Sequence, residues 1–160
     1  MATKNKFLSL ANSTFKFKLF LLAKLPAAFF SGIRIKHLSS EGATTVVPFK
    51  WLTQNPFRST YFASLAMAAE MSTGILALNS IYKKKLAVSM LITKMEANYF
   101  KKAVGNTYFT CTQGVDIANA VQQAIDEDRS TTVTIKSTGR NEADEMVALF
   151  LFTWSFKVKS

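Results

Sequence analysis

The stretch Asn55–Leu78, NPFRSTYFASLAMAAEMSTGILAL, decides the fold of this chain. Ser59 or Thr60 can cap a helix start, and small and apolar residues then continue for about five turns. The only charged side chain in that apolar part is Glu70. A helix that is apolar on nearly every side is expected to be buried at the centre of a domain. The sequence therefore predicts a long central helix over about 59–79.

The carboxyl of Glu70 is the first candidate for a functional group. Burying a carboxylate is costly unless it is hydrogen-bonded, paired with a cation or protonated. The alternative interpretation is a structural glutamate that accepts a hydrogen bond across a helix–sheet or dimer interface, because structural contacts also perturb carboxyl groups. The sequence leaves both interpretations open.

Composition indicates a folded protein of one domain, residues 1–160. The chain is 49% hydrophobic and has 14 phenylalanines, which argues against disorder. Cys111 is the single cysteine and His37 the single histidine, so an intrachain disulfide and a conventional zinc site are both excluded. We expect no metal and no cofactor, and a cytoplasmic location.

The net charge of +10 suits nucleic acid, anionic lipid or a phosphorylated ligand as partner. The aromatic residues lie in apolar runs and do not alternate with Arg and Lys on a strand face, so we expect no nucleic-acid partner.

The amino-terminal part of the chain is expected to be helical over about 13–31, after a frayed start over residues 1–12. Lys16, Lys18, Lys24 and Pro26 interrupt its apolar run, so we expect neither a transmembrane segment nor a signal peptide. The three lysines point to different sides of a helix, which speaks against a membrane-surface helix.

The rest of the chain predicts strands around the central helix. Ile33–Leu38 and Thr44–Phe49 suggest a hairpin, and 86–101 and 106–112 a second antiparallel pair. An amphipathic helix over 114–128 precedes strands at 131–137 and 145–159, which are separated by a turn over 139–144. This order predicts an α+β fold in which a curved antiparallel sheet wraps one long central helix.

The residues also resemble a known family. Asn55 and Glu70 stand fifteen residues apart, and Asn98-Tyr99-Phe100 is followed by Val104-Gly105. This pattern resembles the hotdog fold, in particular acyl-CoA thioesterases of the phenylacetate-degradation type. The stretch NPFRSTYFASLAMAAEMSTG resembles, more closely, an uncharacterised hotdog subfamily classed as a domain of unknown function. The similarity extends from about Ile33 onward.

The resemblance implies a site built between two subunits of a homodimer or tetramer, with an acyl-CoA or another acyl thioester as ligand. Glu70 would act as general base or nucleophile, the N–H of Phe62 would polarise the thioester carbonyl, and Asn55 would position water or substrate. Further substrate-binding candidates are Tyr61, Arg58, Thr60, Ala63 and Thr73. Candidate cations for the CoA phosphates are Arg58, Lys83, Lys84, Lys85, Lys101 and Lys102.

One departure from the family pattern bears on activity. Tyr61-Phe62-Ala63 replaces the His-Gly-Gly of those thioesterases, and the two aromatic side chains occupy space that glycines leave for substrate. The main hypothesis is therefore a thioesterase-like protein that hydrolyses an acyl thioester with Glu70. The alternative is a non-catalytic hotdog protein that binds an acyl or lipid-like ligand, or that serves as a dimerisation module. His37 is interpreted as a core or interface histidine, Cys111 as a buried structural thiol, and Glu96 as a second possible acid that is expected on a solvated or ion-paired face.

Overall fold

The computed structural model describes residues 6–82 and 84–159, and it does not describe the side chain of Lys6. Within these residues six strands form one antiparallel sheet in the order β1-β2-β4-β5-β6-β3. The strands are β1 Arg34–Leu38, β2 Ala43–Val47, β3 Val88–Tyr99, β4 Thr107–Cys111, β5 Thr131–Arg140 and β6 Met146–Val158. The helices are α1 Lys6–Ala11, α2 Thr14–Lys24, α3 Pro26–Ser31, α4 Phe62–Tyr82 and α5 Gly114–Asp126, with a 3₁₀ turn at Trp51–Thr53.

Helix α4 is the central helix, and the sheet curves around it. Side chains on all sides of α4 are buried, as its apolar composition predicts. Two buried hydrogen bonds fix its rotation against the sheet: Trp154 Nε1 donates to Thr73 Oγ1 (3.0 Å), and Thr45 Oγ1 donates to the carbonyl of Ala68 (2.6 Å). The expected α+β hotdog architecture is confirmed.

The long helix begins at Phe62, later than the expected start near 59. The residues before it are held in extended structure instead: Gln54 and Thr60 form an isolated β-bridge. The N–H of Thr60 also donates to the carbonyl of Ala103 (2.7 Å), and the N–H of Tyr61 to that of Thr53 (2.7 Å). These backbone contacts prevent residues 59–61 from winding into the helix.

The expected pairing of the strands at 86–101 and 106–112 is wrong. β3 pairs with β6 at one edge of the sheet, and β4 lies between β2 and β5. The connecting segment does not turn back on itself, because it crosses in front of the start of α4 and buries Ala103 there. We call 99–103 the crossing segment. It brings Lys101 and Lys102 close to the N-terminus of α4.

The expected turn over 139–144 begins later than predicted. Gly139 lies inside β5, directly opposite Phe109 of β4. A Cβ on Gly139 would clash with the buried ring of Phe109, so this glycine provides space within the sheet. The turn to β6 is instead formed by residues 141–145.

Packed helical structure begins closer to the amino terminus than the expected start at residue 13. α1 buries Phe7 and Ala11, so residues 7–11 are packed and not frayed. Pro26 divides the following helical segment into α2 and α3, and Gly32, with φ of 74°, ends α3.

Within the described residues, α4 is the one helix long and apolar enough to span a bilayer. However, 67% of its apolar window is buried inside the protein, so it is the core helix of the domain.

Candidate functional site

A cavity of about 480 Å³ opens at the N-terminus of α4. The loop 55–61 forms one wall, and the crossing segment forms the other. Among the residues that sequence reasoning singled out, the cavity brings together Asn55, Thr60, Tyr61, Phe62, Lys101 and Lys102. The sequence places these residues in two groups some forty positions apart, and the Thr60–Ala103 backbone hydrogen bond joins them.

Unpaired hydrogen-bond donors lie at the start of α4, where Phe62 lines this cavity. In the described part of the chain, no acceptor is recorded for the N–H groups of Phe62 and Ala63, the first two residues of α4. The hydroxyl of Thr60 is buried and lacks a hydrogen-bond partner among the described residues. The positive end of the helix dipole adds to these donors. The site is therefore suited to an oxygen atom that carries or develops negative charge.

The aromatic rings that replace two residues of the family motif stand at the mouth of this cavity. Tyr61 and Phe62 pack edge to face with ring centroids 4.8 Å apart. The side chain of Phe62 is 55% exposed, so its ring extends outward and does not fill the core. The cavity thus persists beside these rings, which form part of its lining.

Asn55 uses most of its side chain to close its own loop. Its Oδ1 accepts hydrogen bonds from the N–H groups of Phe57 (3.0 Å) and Ser59 (3.2 Å), and its Nδ2 donates to Ser59 Oγ (3.0 Å). The N–H of Asn55 donates to the carbonyl of Ser59 (2.9 Å), and Arg58 adopts a left-handed φ of 57°. Asn55 is thus the residue that holds the loop in shape.

The turn between β5 and β6 has the same construction. Asn141 Oδ1 accepts from the N–H groups of Ala143 (3.0 Å) and Glu145 (2.9 Å), and its Nδ2 donates to the Glu145 carboxylate (2.7 Å). The fourth residue, Asp144, has a φ of 60°. This loop lies at a different place in the fold, so the Asn55 arrangement does not by itself identify a catalytic asparagine.

Glu70 lies in a second, smaller cavity of about 90 Å³. Its walls are apolar apart from Glu70 itself, and α2 contributes Phe17 and Phe20 to them; the remaining lining residues are Met71, Gly74, Ile75, Leu78 and Met90. Burial raises the pKa of Glu70 from 4.5 to about 7. Within residues 6–82 and 84–159, no hydrogen-bond donor or cation pairs with its carboxyl.

Gly74 provides the space in which this carboxyl lies. A Cβ placed on Gly74 would be 2.6 Å from Oε1 of Glu70 and 3.5 Å from Cη2 of Trp154. A glycine within a helix destabilises it by about 1 kcal/mol relative to alanine. The glycine therefore leaves room for the carboxyl of Glu70 one turn further along α4.

Glu70 and the Phe62 N–H lie apart within one protomer. Eight residues of α-helix separate them, which corresponds to about 12 Å along the axis. The two cavities have no lining residue in common. One chain therefore cannot place both groups on a single thioester carbonyl.

Three further candidates, Thr73, Arg58 and Ala63, lie outside both cavities. Thr73 is fully buried, and its hydroxyl donates to the carbonyl of Glu70 (2.9 Å) while accepting from Trp154. Arg58 and Ala63 line neither cavity. Among the basic residues, Lys84 donates to Gln122 (2.5 Å), Lys101 pairs with Glu145 (2.6 Å), Lys102 and Lys85 are exposed, and Lys83 lies outside the described residues.

The other titratable residues of interest lie away from these cavities. His37 is exposed on β1, so the expectation of a core histidine is wrong for the protomer. Glu96 is exposed on β3, where it pairs with Lys94 at 2.6 Å. Burial raises the pKa of the Cys111 thiol. No group of three or more His, Cys, Asp or Glu side chains in the described ranges could hold a metal ion.

Sequence reasoning missed the role of α2 in the Glu70 cavity. The spacing of Phe17, Phe20 and Leu21 on one helix face was the available signal. The sequence pattern does not indicate that this face covers Glu70, because the contact joins segments about fifty residues apart.

Comparisons with known proteins agree with the fold. The chain superposes with a TM-score of 0.77 on a protein of unknown function from Chlorobaculum tepidum (16% identity, 91% of this chain and 94% of the other). A protein of unknown function from Pseudomonas aeruginosa, described as a probable thioesterase, gives 0.74 (16% identity, 91% and 96%). A thioesterase from Haemophilus influenzae gives 0.61 (14% identity, 88% of each chain).

No curated protein matches the chain. The family model described as Domain of unknown function (DUF4442) matches residues 14–156, which is most of the sequence. The chain therefore belongs to this DUF4442 family, whose function is unknown, and it has the hotdog fold.

Proposed function

We propose that this protein hydrolyses an acyl thioester, with acyl-CoA as the substrate class, and that Glu70 acts as the general base. The observation that carries the proposal is the Glu70 carboxyl itself. It is half-buried in a cavity whose other lining residues are apolar, it has no partner among the described residues, and burial raises its pKa to about 7. A base of this pKa is half ionised at neutral pH and is well matched to accept a proton from water. Thioesterase descriptions among the structural neighbours add support.

In the proposed reaction, Glu70 accepts a proton from water while the water oxygen forms a bond to the thioester carbonyl carbon. The carbonyl oxygen becomes an oxyanion that accepts a hydrogen bond from the Phe62 N–H. Collapse of this intermediate breaks the C–S bond. The carboxylic acid product is released, and the thiolate leaves with the proton that Glu70 returns.

The proposal requires two protomers, because Glu70 and Phe62 are too far apart in one chain. The β3 edge is the surface on which we propose the homodimer forms. Among the described residues, its outer side pairs with no other strand, and it exposes Leu91, Met95 and Tyr99. A long edge of this kind readily pairs with a second chain. A tetramer would need a further surface.

We propose that Asn55 acts as a positioning residue. It fixes the loop that carries Thr60, and the second N–H of its amide has no acceptor among the described residues, so it can reach water or substrate. Tyr61 would contact the acyl group at the rim. Lys101 and Lys102 would bind the CoA phosphates with help from Arg58, and the enzyme would act in the cytoplasm.

Proline substitution tests the oxyanion donor directly. Proline is tolerated at the first position of a helix, so Phe62→Pro removes one N–H and leaves α4 intact. Phe62→Ala removes the ring and keeps the N–H, which makes it the matched control. We expect kcat for Phe62→Pro to fall about 10²- to 10³-fold below that of Phe62→Ala. Equal rates for the two variants would exclude the Phe62 amide as donor.

The base is tested in a screen of short, aryl and long acyl-CoA substrates with detection of the free thiol. Glu70→Gln and Glu70→Ala should lower kcat at least 10²-fold, and kcat/KM of the unmodified protein should rise with pH to a plateau above about 7. Glu96→Gln, which removes an exposed carboxylate, should retain activity. Unchanged activity in both Glu70 variants would refute the general-base role.

A mixing experiment tests whether the site is shared. Phe62→Pro and Glu70→Gln protomers should each be inactive alone. When they are mixed in equal amounts and allowed to exchange, half of the dimers are mixed, and each of these has one complete site. Activity should then return to about a quarter of the wild-type rate. No recovery despite demonstrated subunit exchange would contradict a site shared between protomers.

The second candidate function is a non-catalytic module that binds an acyl or lipid-like ligand. Two observations favour it: the Glu70 cavity is apolar and separate from the Phe62 cavity in one chain, and most hydrogen-bonding groups of the Asn55 side chain are used within its own loop. A correctly folded protein without thiol release on any acyl-CoA in the screen, but with saturable binding of a fatty acid, would establish this function instead.

A further inference from the structure

The outer face of α2 is apolar and exposed. Phe15, Leu19 and Leu22 follow the i, i+4, i+7 spacing that places side chains along one side of a helix. Phe15 is 72% exposed, Leu19 52% and Leu22 44%. We call these three residues the outer stripe. Helix α2 thus has two apolar faces, because Phe17 and Leu21 on the opposite side are buried in the core.

Lysines border the outer stripe on both sides. At about 100° per residue, Lys16 lies on one side of the stripe and Lys18 on the other, and both are exposed. Long lysine side chains beside an apolar surface can extend their ammonium groups toward phosphate while their methylenes remain against hydrocarbon. From the sequence alone, lysines on different sides of the helix argue against membrane binding. Because the structure buries one apolar face of α2, Lys16 and Lys18 instead flank the apolar face that remains exposed.

The surrounding sequence is basic throughout. Residues 1–40 contain seven Lys and Arg and no Asp or Glu, and the first acidic residue is Glu41. The surface after α2 continues with exposed Leu25 and Phe30. A second copy of this chain docked stripe to stripe would bring like charges together without a carboxylate from this segment, which disfavours a symmetric contact.

We propose that the outer stripe and its lysines form a docking surface for an anionic phospholipid bilayer. An interfacial helix has this composition: aromatic and leucine side chains enter the boundary between headgroups and acyl chains, and flanking lysines bind lipid phosphate. The inner face of the same helix covers the Glu70 cavity through Phe17 and Phe20. Docking would therefore place that cavity next to the bilayer, although the proposal does not depend on thioesterase activity.

Vesicle cosedimentation tests the proposal with the full chain. The protein should bind vesicles of phosphatidylcholine with 30% phosphatidylglycerol (roughly the anionic content of a strongly charged leaflet), and binding should weaken as salt screens the charges. Lys16→Gln with Lys18→Gln should weaken partitioning about 30-fold, at about tenfold per 1.4 kcal/mol. Phe15→Ser with Leu19→Ser and Leu22→Ser should weaken it more than about 100-fold.

Val115 provides a matched control, because it is 57% exposed on α5, away from α2. Val115→Ser should bind vesicles like the unmodified protein. Equal binding of the stripe variant and the unmodified protein would overturn the proposal, as would equal binding to pure phosphatidylcholine. A smaller particle mass for the stripe variant in light scattering, without vesicles, would assign the stripe to a contact between copies and would also overturn it. Unchanged far-ultraviolet circular dichroism establishes that the stripe variant is folded.

Discussion

Replacing Glu70 by glutamine should stabilise this protein at alkaline pH. Burial raises the pKa of Glu70 from 4.5 to about 7, so the native state retains a proton that the unfolded chain releases between these two values. Stability therefore falls as the pH rises through this interval, because here the native state binds more protons than the unfolded state. At about 1.4 kcal/mol per pH unit, the full effect is about 3 kcal/mol. Glutamine has nearly the same shape and does not ionise.

The measurement is urea unfolding at pH 4, 6, 7 and 8, followed by the fluorescence of buried Trp154 at one fixed protein concentration. The variant and the unmodified protein should be nearly equally stable at about pH 4, and the variant should be more stable by about 3 kcal/mol at about pH 8. Taking the difference between the two proteins removes the titration of all other groups. Glu96→Gln is the control, and its effect should stay below about 1 kcal/mol throughout, because its ion pair with Lys94 is exposed.

Two results would refute this reasoning. A difference between Glu70→Gln and the unmodified protein that does not change with pH would mean that Glu70 titrates in the native state as it does in the unfolded chain. A variant less stable than the unmodified protein at about pH 8 would mean that the ionised carboxylate has a stabilising partner, for example across a subunit contact.

Three further predictions concern residues around the site. Asn55→Ala and Asn141→Ala should each destabilise the protein by about 1–2 kcal/mol in urea unfolding, because each removes the hydrogen bonds that close its loop. Only Asn55→Ala should lower the rate of thioester hydrolysis. Equal losses of activity in the two variants would show that Asn55 acts through global stability alone. Thr73→Val should cost about 1–3 kcal/mol in the same assay, because it leaves a buried indole N–H unpaired, and a neutral result would mean that water replaces the hydroxyl. Gly139→Ala should cost at least about 1–3 kcal/mol through its clash with the ring of Phe109; an unchanged midpoint would show that the two strands can separate without penalty.

The elements that could be predicted from the sequence are those whose pattern is local. The small and apolar residues that dominate α4 indicate a buried helix, and the β-branched residues of β2 indicate a strand. The pairing of β3 could not be predicted, because a short segment between two strands suggests a hairpin, and only the backbone contact of Ala103 with Thr60 shows that the segment crosses the helix. Gly139 suggests a turn when only the sequence is known, because the Phe109 ring for which it leaves space lies on another strand.

The candidate site also has parts that are encoded locally and parts that depend on contacts between distant segments. The Asn55–Glu70 spacing suggests the loop and the acid as candidates, since both belong to one continuous stretch. The cover that α2 places over Glu70 and the unpaired hydroxyl of Thr60 depend on packing between distant segments. The loops at 55–59 (NPFRS) and 141–145 (NEADE) have little sequence in common beyond their first asparagine. Their similarity is evident only from their hydrogen bonds.

The turn of α4 from Glu70 to Gly74 contains two features that do not stabilise the fold. The raised pKa of this unpaired, half-buried carboxyl corresponds to a cost of about 3 kcal/mol near neutral pH, and a helical glycine costs about 1 kcal/mol more. Together these amount to a large share of the roughly 5–15 kcal/mol by which a domain of this kind is stable. A structural glutamate would be expected to accept a hydrogen bond from a neighbour, yet the nearby hydroxyl of Thr73 donates to a backbone carbonyl instead. The two features have a common physical reason if this carboxyl must remain unpaired, close to half ionised and free to accept a proton.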